Sequence, residues 1–169
     1  AAAIAVGVRR TGDITLTIVG PDLRDAVLAL APRADQERFC GRTRDTLPEA
    51  QAAPGARPVA ILEDAVPVGF FALHRGPAAG ALTPSDRDVL LRGFFVDAAA
   101  QGRGVAGRAL ERLPAFLREH LPGARRVVLT VNVRNPAAIR TYHRAGFADS
   151  GDVYHGGAQG PQHILGLRI

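Results

Sequence analysis

The sequence FFVDAAAQGRGVAG, residues 94–107, decides the fold. Its first three residues close an apolar run over Val89–Val96, which predicts a strand buried on both faces. Three glycines then lead into an amphipathic helical pattern over Gly104–Leu121. Glycines at the start of a helix leave backbone N–H groups uncovered, and these donors bind anions, above all phosphate, together with the helix dipole. The stretch therefore predicts a strand, a phosphate-binding loop and a helix in succession.

The same glycines match G-x-G-x-x-G, the dinucleotide-binding fingerprint. In that fold the first glycine follows its strand almost directly, whereas here Asp97–Gln101 intervene. The fingerprint also needs an acidic residue near the end of the next strand, and Arg134 and Asn135 occupy that place. Too little chain follows the loop to complete a doubly wound sheet. The sequence therefore disfavours a nicotinamide dinucleotide site.

The rest of the chain predicts one α/β domain, because no repeat, low-complexity tract or linker divides it. An antiparallel meander comes first, a strand–helix–strand–helix unit follows, and a hairpin closes the chain. Asn135 and Pro136 are typical of a helix start, and Gly146 is typical of a helix end. The other predicted elements are strands at Ile14–Val19, Val59–Leu62, Val68–Leu73, Arg126–Val133, Ala148–Tyr154 and Gln162–Ile169, and a helix at Pro21–Ala31.

Two motifs resemble a known family. Residues 101–106, Gln-Gly-Arg-Gly-Val-Ala, match the pattern Q/R-x-x-G-x-G/A, which is the pyrophosphate loop of the GNAT superfamily of N-acetyltransferases. Residues 95–97 look like the fourth strand of that superfamily. Residues 135–147 resemble its pattern N-x-x-A-x-x-x-Y-x-x-x-G-F. The resemblance is specific over about residues 89–148, and over the first 85 residues it is one of element order only.

The resemblance implies a mixed, mainly antiparallel sheet that is splayed at the cofactor site, with helices on both faces. It implies one domain over residues 1–169, with an acceptor-side half at 1–88, a CoA-binding core at 89–148 and a closing hairpin at 149–169. Acetyl-CoA is the implied co-substrate, with its pantetheine arm along the backbone of the fourth strand. The residues implied to bind it are Phe94, Phe95, Val96, Gln101, Gly102, Arg103, Gly104, Val105, Ala106, Gly107, Asn135, Ala138 and Tyr142. Arg103 and Arg108 are open between a phosphate contact and a solvated charge.

Tyr142 is the predicted catalytic residue. It lies seven residues after Asn135, about two turns along the same helix. A phenol, with a reference pKa near ~10, is protonated at neutral pH and can donate a proton to a leaving thiolate. The resemblance thus implies transfer of an acetyl group to a primary amine, with Tyr142 as general acid. We expect direct attack in a ternary complex, because the sequence shows no activated Cys or Ser nucleophile. The alternative is a non-catalytic acyl-CoA-binding regulatory module.

The sequence leaves the general base unassigned. Positions at which family members carry a glutamate hold Thr130, Leu90 and Leu91, which cannot take up a proton. An amine with a lowered pKa would need no dedicated base. The open candidates for a base are Asp88, Glu63, His74 and His163.

The Gly-rich tail at residues 154–163 borders the acceptor pocket in the resembled fold, so Gln162 and His163 are candidates for acceptor contact. An ordinary hairpin loop explains the tail equally well. His155 and His163 do not predict a metal site, because no third ligand accompanies them.

Composition narrows the class of protein further. The net charge is +5 and all 21 basic residues are arginine, which suits an anionic partner, either nucleic acid or a phosphorylated cofactor. The aromatic content of 5% without a basic stripe disfavours nucleic acid.

The sequence predicts no membrane helix, and the opening AAAIAV predicts a frayed terminus rather than a signal segment. Cys40 cannot form an internal disulfide, and it predicts a buried or incidental thiol. We expect a cytoplasmic protein, and a dimer is common for the resembled family.

Overall fold

The computed structural model describes residues 12–169, and the opening at residues 1–6 lies outside them. The strands of this part of the chain are β1 (Ile14–Ile18), β2 (Arg57–Glu63), β3 (Val66–Arg75), β4 (Asp88–Val96), β5 (Arg126–Asn132), β6 (Ala148–Tyr154) and β7 (Gln162–Arg168). They form one seven-stranded sheet in the order β1-β2-β3-β4-β5-β7-β6. Strands β4 and β5 are parallel, and the other neighbouring strands are antiparallel. This topology confirms the mixed, mainly antiparallel sheet and rules out a doubly wound parallel sheet.

Helices cover both faces of the sheet, as the sequence predicts. The helices are α1 (Pro21–Leu28), α2 (Glu37–Cys40), α3 (Thr43–Ala52), α4 (Val105–His120) and α5 (Pro136–Arg144). Side chains alternate between the faces along β3: Phe70 and Ala72 pack with α1 and α3, whereas Phe71 and Leu73 pack with α4. We call these the α3 face and the α4 face. Helix α5 lies on the α4 face, because Tyr142 belongs to the same cluster.

Local chemistry explains the boundaries next to the site. The Asn135 side chain accepts a hydrogen bond from the Ala138 amide, and Pro136 occupies the first turn of α5. Gly146, with φ of 99°, lies in the left-handed region just beyond the end of α5. The predicted start and end of this helix are therefore confirmed.

The sequence predicts β4 to be buried on both faces, and the structure corrects this in the middle of the strand. Arg92 is exposed, and Gly93 and Phe94 are half-buried. The register between β3 and β4 shifts between Phe70 and Ala72, and Gly93 adopts a φ of 65°. This is a β-bulge, which inserts a residue and re-aims the side chains beside it. The middle of β4 therefore lines a cavity instead of the core.

Candidate active site

The parallel ladder between β4 and β5 ends after three residue pairs, and a cavity opens beyond it. The pairs are Asp88–Arg126, Val89–Val127 and Leu90–Val128. Further on, β4 stays paired with β3 while β5 stays paired with β7, so the two central strands diverge. The cavity has a volume of about 1120 Å³. The predicted splay of the sheet is therefore present where the resemblance requires it.

All but one of the residues predicted to bind the co-substrate line this cavity. The fourth strand, the glycine loop and helix α5 each contribute, so segments distant in the chain meet in one place. The lining residues from the prediction are Phe94, Phe95, Val96, Gln101, Gly102, Gly104, Val105, Ala106, Gly107, Asn135, Ala138 and Tyr142. Their contact with a bound molecule stays a prediction.

Arg103 is the exception, because its side chain pairs with Glu63 at the end of β2. Its Nη1 donates to Glu63 Oε1 at 2.7 Å. Arg108 Nη2 lies 3.6 Å from Glu63 Oε2, and its Nη1 donates to the Gly12 carbonyl oxygen at 2.6 Å. The structure thus places both arginines against a carboxylate beside the loop, not in the wall of the cavity.

The glycine loop presents open backbone to the cavity. Gly102 and Gly104 adopt φ values of 80° and 73°, in the left-handed region that favours glycine. A Cβ atom built on Gly102, Gly104 or Gly107 meets no atom within 4 Å, so the space on the side-chain side of the backbone is open at all three positions. The first amides of α4 at Val105 and Ala106 have no intrahelical partner, as in any helix start. Such a loop can hold an anion by its N–H groups and the helix dipole.

The backbone of Val96 faces the gap between the strands. The Asp97 amide donates to the Val68 carbonyl oxygen, so Val96 and Gly69 form the next, non-hydrogen-bonded pair of the ladder. The N–H and C=O of Val96 therefore point away from β3. Gln101 Nε2 donates to the Val96 carbonyl oxygen at 2.8 Å and to Gln36 Oε1 at 2.7 Å, which ties the loop to the segment before α2.

Tyr142 is buried between two aromatic rings at the base of the gap. Its ring lies edge-on to those of Phe94 and Phe147, with centroids 6.0 and 5.7 Å away. Burial, with a smaller contribution from Cys40, raises the pKa of the Tyr142 phenol well above its usual range. The hydroxyl therefore stays protonated at neutral pH, as a proton donor must.

None of the four candidates for a general base lines the cavity. Asp88 accepts two hydrogen bonds from Arg126, both at 3.0 Å, at the closed end of the β4–β5 ladder. Glu63 is paired with Arg103 and Arg108. Burial, then the charge of Arg92, lowers the pKa of His74, so its imidazole is neutral near pH 7 although it is not part of the cavity wall. His163 lies 3.5 Å from Asp149 between β7 and β6.

The Gly-rich tail contributes Gln162, Tyr154, Gly156 and Gly157 to the wall, whereas His163 and His155 are not part of it. Asn132 Nδ2 at the end of β5 donates to the carbonyl oxygen of Gln159 at 2.9 Å. This hydrogen bond connects the tail to the end of β5, which borders the gap. The tail thus borders the cavity, and contact of Gln162 with an acceptor stays a prediction.

The sequence analysis does not assign four ionisable residues of the cavity wall, which are Cys40, Arg92, Glu111 and Arg144. Burial raises the pKa of the Cys40 thiol to about 11, so this thiol is protonated at neutral pH. Arg92 is paired with Ala72 and lies directly before the bulge at Gly93. A glycine inside an otherwise bulky strand is a recognised signal of a bulge, and it could have indicated the irregularity of β4 at this point.

Within residues 12–169, no three His, Cys, Asp or Glu side chains come together as a metal site would require. None of the helices in this part of the chain is long and apolar enough to cross a membrane.

Comparison with known proteins agrees with this geometry. The model of the acetyltransferase (GNAT) family matches residues 23–147. The chain is 31% identical over 142 residues to YbbJ, an uncharacterized N-acetyltransferase of Bacillus subtilis strain 168, covering 83% of this chain and 89% of that protein. It is 30% identical over 140 residues to a spermine/spermidine N(1)-acetyltransferase of the same strain, with 83% and 91% covered.

Solved structures share the fold at low sequence identity. The aminoglycoside acetyltransferase AAC(6')-Ib in complex with coenzyme A superposes with a TM-score of 0.75 at 17% identity, over 92% of this chain and 95% of that one. A spermidine N-acetyltransferase from Vibrio cholerae, in complex with CoA and spermine, superposes with a TM-score of 0.69 at 14% identity, over 92% of this chain and 95% of that one.

The fold of this chain is therefore shared with these solved acetyltransferases. The chain belongs to the acetyltransferase (GNAT) family. It is therefore an acyltransferase enzyme, and acetyl-CoA is the co-substrate that this family uses.

Proposed function

We propose that the protein transfers the acetyl group of acetyl-CoA to a primary amine by direct attack in a ternary complex, with Tyr142 as the general acid. The observation that carries the proposal is the position of Tyr142. It lies in the wall of the cavity beside the bulged strand, and burial keeps it protonated. A non-catalytic binding module would have no need of a proton donor at this point.

The shape of the cavity supports the assignment of the donor site. The open space beside Gly102, Gly104 and Gly107, together with the first amides of α4, suits a pyrophosphate. The N–H of Val96 points into the gap and suits an amide-bearing chain that pairs like a strand. Asn135 and Ala138 on α5 form the opposite wall. Arg103 would contact a phosphate only after leaving Glu63, so we assign the phosphate contact to the backbone first.

The acetyl thioester supplies an activated acyl group. The acceptor nitrogen bonds to the acetyl carbon, and the carbon–sulfur bond breaks with its electron pair on sulfur. The Tyr142 hydroxyl gives its proton to that sulfur, which leaves as a thiol. The nitrogen loses one proton to water, and water returns one proton to the phenolate. Every atom and charge is thus accounted for without a covalent enzyme intermediate.

Direct attack is supported by the state of Cys40. A thiol acts as a nucleophile in its thiolate form, and a pKa of about 11 leaves almost none of that form at pH 7. Cys40 donates weakly to the Gln36 carbonyl oxygen at 3.6 Å and has no imidazole beside it in the hydrogen bonds of the described residues. An acetyl-cysteine intermediate is therefore disfavoured.

The acceptor must reach the cavity with its amine already neutral, or lose its proton to water. This follows because none of Asp88, Glu63, His74 and His163 is in the cavity wall. Glu111, the carboxylate that does line it, lies on α4 one turn after Gly107 and thus beside the phosphate-binding loop. The names of relatives offer spermine, spermidine and aminoglycosides as acceptors of those proteins. For this chain they define the small amines to be tested first. A cytoplasmic location and a homodimer stay expectations.

Titration calorimetry with acetyl-CoA, CoA and NADH tests the proposal, followed by a thiol-release assay on a panel of amines. We expect binding of acetyl-CoA and CoA, no binding of NADH, and thiol release that depends on an amine. Failure of both CoA forms to bind would overturn the donor assignment. Binding without turnover on any amine would favour the regulatory module.

A further inference from the structure

We propose that the acceptor is an α-amine on a molecule that also carries a carboxylate, and that Arg92 binds this carboxylate. The inference rests on the proposed function, because it names the acceptor class of the same cavity. Three features support it: the face on which Arg92 lies, the charges of the cavity wall, and the lack of a general base.

Arg92 lies on the α3 face of the sheet. It is paired with Ala72 in the β3–β4 register, and its Nη1 lies 3.6 Å from Glu49 Oε1 of helix α3. Helices α4 and α5 and the glycine loop at the start of α4 belong to the opposite, α4 face. The guanidinium therefore enters the cavity from the side away from the phosphate-binding loop, and we assign this side to the acceptor because the donor-site elements occupy the other.

The charged residues of the cavity wall, among the described residues, are Arg92, Glu111 and Arg144. Glu111 follows Gly107 by one turn of α4, and Arg144 ends α5, so both lie with the donor-side elements. On the acceptor side the wall thus has the cation Arg92, and the carboxylate beside it, Glu49, is its ion-pair partner and not part of the wall. A polyamine needs carboxylates for its additional ammonium groups, and this side of the wall has none among the described residues.

The guanidinium of Arg92 is available to a ligand. Its side chain is 54% exposed and that of Glu49 is 57% exposed, and an exposed pair at 3.6 Å contributes little. The planar fork of a guanidinium matches a carboxylate with two parallel hydrogen bonds. An incoming carboxylate can therefore displace or share the weak contact with Glu49.

The missing base selects the kind of amine. At pH 7 the neutral fraction of an α-amine with a pKa of ~8 is larger than that of an alkylamine with a pKa of ~10.4, by roughly a few hundred-fold. Only the neutral form can attack a carbonyl carbon. Among the described residues, the acceptor side of the wall has no carboxylate or imidazole, so the enzyme relies on this fraction, which favours an α-amine over the amines of a polyamine.

The test compares glycylglycine with its C-terminal amide, which has the same amine and lacks the carboxylate, and with spermidine. For the wild type we expect kcat/KM to be higher for glycylglycine than for the amide by about tenfold or more. Arg92→Gln should bring this ratio to within about twofold of unity, whereas Arg92→Lys should keep part of it.

Arg42→Gln is the matched control. Arg42 lies outside the cavity wall, is 55% exposed, and pairs with Glu37 at 3.3 Å, so its replacement removes the same charge from a comparable ion pair. The Arg42→Gln variant should keep the wild-type ratio of kcat/KM for glycylglycine to kcat/KM for its amide. Thermal unfolding of each variant shows that the comparison is made on folded protein.

Equal use of glycylglycine and its amide by the wild type, or faster turnover of spermidine, would overturn the inference and leave the acetyltransferase assignment intact. The inference would also be overturned if the ratio of kcat/KM for glycylglycine to that for its amide fell as far in Arg42→Gln as in Arg92→Gln. Binding of acetyl-CoA without acetylation of glycylglycine overturns the acceptor class alone. Failure of acetyl-CoA to bind overturns the proposed function itself.

Discussion

The ring of Tyr142 lies edge-on to the ring of Phe94, with centroids 6.0 Å apart and planes at 68°. Tyr142 belongs to α5 and Phe94 to the bulged part of β4, so the contact crosses the gap that opens where the β4–β5 ladder has ended. Packing of aromatic rings, on Phe94 and on Phe147, therefore sets the position of the phenol.

Tyr142→Phe should remove the proton donor while it keeps both ring contacts. We expect kcat to fall by about 100-fold or more, since general acid catalysis contributes on this order. CoA affinity and the unfolding temperature should stay close to the wild type. Steady-state kinetics, titration calorimetry and thermal unfolding measure the three quantities. An unchanged kcat in an active enzyme would refute the general-acid role.

Gly104 and Gly55 provide a matched pair for the loop. Their φ values are 73° and 74°, and a Cβ on either meets no atom within 4 Å. Alanine at either position should therefore lower the free energy of unfolding by about 1 kcal/mol, from backbone strain alone. CoA affinity should fall by about tenfold for Gly104→Ala, whose strain shifts the loop amides, and stay unchanged for Gly55→Ala. Denaturant unfolding and calorimetry test this, and equal CoA affinity in the two variants would argue against the loop.

The substitution Asp88→Asn tests whether Asp88 is a structural carboxylate or a catalytic base. Asp88 is buried and accepts two hydrogen bonds from Arg126, which is 45% exposed. Loss of the charge should lower the free energy of unfolding by about 1–3 kcal/mol. Turnover of the folded variant should be kept, because Asp88 holds the closed end of the gap and is not in its wall. A large loss of kcat with unchanged stability would restore Asp88 as a base.

Features near the site that depend on local chemistry could be predicted from the sequence. The glycine loop, the Asn135 cap and the turn at Gly146 each follow from the conformational preferences of a few adjacent residues. The meander and the closing hairpin follow from apolar runs with turn residues between them.

Features that depend on distant residues could not be predicted in this way. The ion pair of Arg92 with Glu49 of α3 and its place in the cavity wall depend on residues distant in the chain. Arg103 follows a loop pattern, yet it pairs with Glu63, forty residues away in the chain. The exposed or buried state of an ionisable group is likewise a tertiary property, which is why four base candidates stayed open in the sequence.

Cys40 offers a test of direct transfer that does not depend on the acceptor. Because burial raises its pKa to about 11, the thiolate fraction should grow about tenfold with each pH unit up to that value. Alkylation by iodoacetamide should thus keep accelerating through pH 9, whereas an ordinary thiol levels off above its pKa of ~8.5. CoA should slow the reaction, since Cys40 shares the cavity with the proposed donor site.

The matching measurement is mass spectrometry of the enzyme mixed with acetyl-CoA and no acceptor. Direct attack predicts that no acetyl group stays on the protein, because a protonated Cys40 cannot attack the thioester. An acetylated Cys40 that forms and then decays when an amine is added would show a two-step transfer instead. An alkylation rate that levels off near pH 8 would point the same way, since the thiol would then be available as a nucleophile.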